Sequence, residues 1–61
     1  MESLNDKREL YQKILEYCDE HYGVKHDIPW TIVYMACDEL DIDRDDVSFD
    51  EICEMFDVNI G

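Results

Sequence analysis

Across residues 27–61 eleven acidic side chains face a single cation, Arg44, so these thirty-five residues carry a formal charge of −10. The first twenty-six residues set six acids against Lys7, Arg8, Lys13 and Lys25 and carry only −2. Like charges this dense repel one another, so the chain can compact only through elements with a solvated carboxylate face and an apolar face turned inward. Sixty-one residues make one domain, and a chain of that size buries about 60% of the surface its unfolded form exposes. That leaves little stability in reserve and no room for a deep substrate cavity. An apolar fraction of 46% is nevertheless that of a folded protein, not of a disordered acidic tail. Folding and the binding of a basic partner are expected to be coupled, because such a partner would relieve the self-repulsion.

Helical periodicity gives an all-α fold, a small single-domain three-helix bundle with helices near 4–22, 28–40 and 49–57. In the first, Tyr11, Ile14, Leu15, Cys18 and Tyr22 recur at helical spacing, with Lys7, Arg8, Lys13, Glu16 and Glu20 off that stripe. Ser3 with Asp6 supplies a cap, and Gly23 followed by Val24 supplies the stop. The second helix is expected to start near Asp27 as cap, with Pro29 in the first turn where a missing N–H is harmless. Its residues Trp30 to Cys37 are apolar nearly all the way round, with Val33, Ala36, Cys37 and Leu40 as the tightest stripe, so the helix is either sandwiched or offers a face to a partner. Thr31-Ile32-Val33, being β-branched, would also suit a strand. The third helix opens on Ser48 and Glu51, spaced as a capping box, with Val47 and Ile52 placed as its hydrophobic staple. Phe49, Ile52, Cys53 and Phe56 then form one face, and Asp50, Glu51, Glu54 and Asp57 the other.

The opening Met1 to Asp6 lacks the cationic start and apolar run of a secretory signal, and no stretch approaches the ~20 apolar residues that span a bilayer. The expectation is a soluble, cytoplasmic protein. Cys18, Cys37 and Cys53 are odd in number and widely spaced, which fits reduced thiols, not a disulfide framework.

Two metal sites merit weighing. Asp41 to Glu51 resembles an EF-hand loop in its alternating aspartates and Ser-Phe-Asp-Glu ending, but Asp46 stands where the loop needs Gly and Ile52 where it needs the last Glu. The run reads as a solvated acidic loop, with a divalent-cation-binding regulator as an alternative. Cys18 and His21 at i, i+3 could begin a zinc site with His26, Cys37 or Cys53, yet only one close pair is present, and three small core cysteines are the simpler account. No cofactor or metal is assigned.

Catalysis finds no support. There is no nucleophile-elbow or zinc-protease motif, and two glycines cannot build a phosphate-cradling loop. Val47 to Asn59 resembles the first helix and turn of a helix-turn-helix unit, with Cys53 at the small position, but Asp57 replaces the usual Gly and no recognition helix follows. The charge also opposes direct nucleic-acid binding, which rests on cations that neutralise phosphates.

The remaining reading is recognition of a basic protein surface. Successive helical turns lie ~5.4 Å apart, so Asp50, Glu54 and Asp57 would set out negative charge on the scale of the ~7 Å between neighbouring phosphates. Asp38, Asp41, Asp43, Asp45, Asp46 and Glu51 extend that surface, and Trp30, Tyr34 and Tyr22 are the candidate aromatic anchors. In size, charge and helical build the chain resembles the small acidic inhibitors that phages and other mobile elements direct against nucleases, restriction enzymes and other nucleic-acid-binding proteins. That resemblance implies an inhibitor or modulator docked in a basic groove, of the nucleic-acid-mimic type. The rival is a structural subunit that uses its apolar second helix for homo- or hetero-oligomerisation, with charge serving solubility.

Overall fold

Helix α1 runs from Leu4 to Tyr22, α2 from Trp30 to Glu39 and α3 from Phe49 to Phe56, in a computed structural model that describes residues 4–61. Among the described residues the fold is all-α, three helices with one two-residue parallel ribbon, β1 (Asp27–Ile28) and β2 (Asn59–Ile60). The suggested cap at Ser3 lies outside the described residues.

Periodicity placed the core well. Tyr11, Ile14 and Cys18 of α1, Val33, Ala36 and Cys37 of α2, and Ile52 of α3 are all fully buried, joined by Ile28 of the ribbon and by Val58 just before its second strand. Helix α2 is not sandwiched, since Trp30 and Met35 on its outer side are half exposed. Its β-branched start is helical despite its strand-like composition.

The start of α2 differs from expectation. Asp27 does not cap the helix; it lies in β1, paired with Asn59, while Ile28 pairs with Ile60. Pro29 is the residue that precedes the helix, extended at φ −61° and ψ 139°. A proline disfavours the helical region for the residue before it, so Ile28 is extended and buried and the helix starts one residue after the ring. The ladder runs on past the strands: the Asn59 N–H donates to the His26 carbonyl at 2.7 Å, the Gly61 N–H to Ile28 at 3.1 Å and the Trp30 N–H to Gly61 at 3.1 Å.

The capping box is likewise not formed. Ser48 precedes α3 with no side-chain cap hydrogen bond. Its N–H, which Glu51 would have accepted, donates to the Tyr11 hydroxyl at 3.3 Å. That hydroxyl donates in turn to Glu51 Oε2 at 3.0 Å, and Lys7 Nζ lies 3.3 Å from the same oxygen. A buried tyrosine of α1 has replaced the local cap with a tertiary one, fastening α3 to α1.

All three helices end alike. Gly23, Asp41 and Asp57 have φ of 69°, 58° and 55°, and each is followed by an apolar residue that turns back onto the core: Val24, Ile42 and Val58. At Asp41 the motif is complete, with the Ile42 N–H on the Cys37 carbonyl at 2.8 Å and the Asp41 N–H on Asp38 at 3.3 Å. These are left-handed helix stops, a conformation natural to glycine and open to aspartate at some cost. Asp57 therefore lies past α3, which ends one residue earlier than expected, and the chain beyond it enters β2, not a second helix of a helix-turn-helix unit.

Candidate functional site

The acidic surface divides into residues that hold the fold and residues that only face water. Asp41 and Asp57 are helix stops. Asp43 accepts the Asp45 N–H at 3.1 Å, capping the short 3₁₀ turn Arg44–Asp46. Asp38 pairs with Arg44 at 2.9 Å. Glu51 is half-buried and engaged by Tyr11 and Lys7, which, in that order of effect, hold its carboxyl below the ordinary carboxylate value. Outside the expected set, Asp27 accepts from Asn59 Nδ2 at 3.3 Å and Glu39 meets Tyr17; of the nine expected acids, Asp45, Asp46, Asp50 and Glu54 remain. They are exposed and, among the described residues, make no side-chain hydrogen bond or ion pair. The first two lie on the 3₁₀ turn that leads into α3, and the last two lie one turn apart on α3 itself.

Arg44, the lone cation of this half, is held in place. Its guanidinium carbon lies 4.7 Å from the centre of the Tyr34 ring while its Nη2 bonds Asp38. Tyr34 also meets Trp30 edge-on, with ring centres 5.7 Å apart, and Phe49 at 5.3 Å. An aromatic row thus runs from the start of α2 to the start of α3. Of the expected anchors, Trp30 is 50% exposed and Tyr34 is half-buried within this row, whereas Tyr22 lies at the end of α1, 36% exposed, against Tyr17. Met35, 48% exposed on the outer side of α2, is a candidate the periodicity did not single out, although it lies away from the inward stripe Val33-Ala36-Cys37.

The metal readings do not assemble. The Asp43 and Asp38 carboxylates are taken by a backbone N–H and by Arg44, Cys18 is buried, and His21 stacks on Tyr17 at the surface with ring centres 4.0 Å apart. Among the described residues no group of three or more His, Cys, Asp or Glu is arranged to hold an ion. Burial pushes the Cys18 thiol up to about 11 and raises that of Cys37, so both are protonated core residues at neutral pH. An open hollow of about 290 Å³ beside the ribbon is lined by Asp27, Ile28, Pro29, Asn59, Ile60 and Gly61. It gathers one carboxylate and no second catalytic group.

Family models, curated proteins and solved structures contain no match to this chain. No described helix is long and apolar enough to cross a membrane.

Proposed function

We propose that this domain binds a basic, nucleic-acid-binding surface of a partner protein and modulates it by occupying the groove that phosphates would fill. The observation that carries the reading is the unengaged group Asp45, Asp46, Asp50 and Glu54, in a stretch of chain, residues 27–61, whose one cation is sequestered by Asp38 and Tyr34, while Lys7 of α1, which reaches α3, is engaged by Glu51. Carboxylates fixed on a 3₁₀ turn and a helix lose less freedom on binding than those of a flexible tail. Their field steers a cationic partner toward them.

The test uses the immobilised domain against the heparin-binding fraction of a cell lysate. Proteins retained in low salt should elute as salt rises and should be displaced by duplex DNA. Reversing Asp50 and Glu54 to lysine should abolish most of this retention, while reversing Glu9 and Glu16 on α1 should leave most of it. Equal retention by the two variants would overturn the reading. Asp57 is unsuited to this comparison because its backbone stops α3.

A second reading draws support from the half-exposed Trp30 and Met35: assembly through the outer side of α2 into a homo- or hetero-oligomer. Sedimentation would favour it if Trp30→Ser and Met35→Ser dissociated an assembly that the charge variants left intact.

A further inference from the structure

Arg44 shows what the outer side of α2 can hold. A planar guanidinium lies over the Tyr34 ring at 4.7 Å and bonds the Asp38 carboxylate at 2.9 Å. An aromatic face together with an in-plane carboxylate satisfies both halves of a guanidinium, the flat weakly hydrated surface and the hydrogen-bonding edge. A lysine ammonium, compact and strongly hydrated, gains less from the ring. One turn toward the start of the helix, Trp30 continues the aromatic row, half exposed, and Met35, further round the helix, is also half exposed.

We infer that the outer side of α2 is an arginine-recognition surface, on which a guanidinium of the basic partner stacks on the Trp30–Tyr34 pair and reaches Asp38, with Arg44 as the internal occupant it displaces or lies beside. This rests on the proposed binding of a basic surface and adds what that surface must present. The charge of residues 27–61 attracts any cation; the aromatic row selects arginine among cations. Trp30 and Met35 supply the apolar contact that a carboxylate patch lacks, and such an anchor holds a complex that steering has brought together. Arg44 is in this view a competitor in place, so the free domain keeps its best guanidinium site filled.

Octa-arginine and octa-lysine peptides, titrated into the full chain by calorimetry at fixed ionic strength, separate selection from simple charge. The wild type should prefer octa-arginine. Trp30→Leu, at a half-exposed position, should reduce the arginine-to-lysine affinity ratio about two- to fivefold, the range expected for one exposed cation–aromatic contact. Asp38→Asn should reduce it as well, and Arg44→Gln, which vacates the site, should widen it by a similar factor. Circular dichroism confirms helix content in each variant. A ratio that stays constant across all three variants, with both peptides still bound in a salt-dependent way, overturns the arginine surface and leaves the basic-partner reading standing. If neither peptide binds, or binding ignores reversal of Asp50 and Glu54, the basic-partner reading itself fails. A self-assembled domain whose α2 face is closed to both peptides, with Trp30→Leu dissociating the assembly, would assign that face to a second copy and likewise overturn the inference.

Discussion

Tyr11 is the residue on which the three-helix arrangement turns. Its ring is fully buried while its hydroxyl both accepts from the Ser48 N–H and donates to Glu51, so one atom serves two partners, one just before α3 and one in its first turn. Tyr11→Phe keeps the packing and removes both bonds, leaving Ser48 and Glu51 to find water. The expected loss is ~1–2 kcal/mol, seen in a thermal melt as a fall in Tm of roughly 5–15 °C. The same network gives Glu51 a pH signature. Tyr11 and then Lys7 hold its folded-state pKa below the ordinary 4.5, so its contribution is fully present above about that pH and is lost as pH falls through the lower folded value. The Tm difference between wild type and Glu51→Gln should therefore be constant near neutrality, begin to shrink below pH 4.5, and vanish in stronger acid. A difference unchanged down to pH 3 would show that the carboxylate is not held by these partners. Taking the difference cancels the titration of the other acids.

Among the elements, the helix stops carry the sharpest expectation. Asp57 at φ 55° adopts a conformation that costs most side chains about 1–2 kcal/mol. Asp57→Gly should be neutral or stabilising by up to about 1 kcal/mol, and Asp57→Val destabilising by about 1–2 kcal/mol, as denaturant midpoints would show. Asp57→Asn removes the charge and keeps the tolerated conformation, separating the two effects. A valine variant as stable as the glycine one would remove the stop from Asp57. These aspartates also explain what could be read in advance. Helical spacing revealed α1, the inward stripe Val33-Ala36-Cys37 and the amphipathic face of α3, because a 3.6-residue period needs only a few turns to register. The two-residue strands have no period to register, and their partners lie more than thirty residues apart; the one local sign was Pro29 pushing Ile28 toward extended backbone. The Ser48–Glu51 spacing signalled a correct helix start with an incorrect bond, since the competing hydroxyl comes from α1. Asp41 and Asp57 were legible as charge, but the apolar Ile42 and Val58 after them also spelled a helix end, as Val24 does after Gly23. Of the candidate site, the solvent exposure of Asp50 and Glu54 was evident from their place off the apolar stripe of α3, and that of Asp45 and Asp46 from the acidic run before it. The seating of Arg44 on Tyr34 and Asp38 was not, as it depends on how the turn after α2 folds back.

At the scale of the whole molecule, a formal charge of −12 sits on a body measuring 33 × 24 × 17 Å. In 0.01 M salt the screening length is about 30 Å, so each carboxylate feels nearly every other across the fold; in 1 M salt it is about 3 Å, shorter than one helical turn. Against this repulsion the described residues set three ion pairs, Lys7–Glu51, Lys25–Asp19 and Arg44–Asp38, each partly or largely exposed and so worth little individually. Repulsion should win. Tm is expected to rise by at least about 5 °C between 10 mM and 1 M sodium chloride, a salt chosen because strongly excluded anions such as sulfate would stabilise any protein. The variant carrying Asp45→Asn, Asp46→Asn, Asp50→Asn and Glu54→Gln should start from a higher Tm in low salt and gain less from added salt. A Tm that falls with salt would mean that the ion pairs dominate and that the carboxylates cost the fold nothing. The expected rise ties stability to binding, since a basic partner neutralises the same four side chains that dissolved cations screen, and must therefore raise Tm most in the low salt where the free domain is weakest.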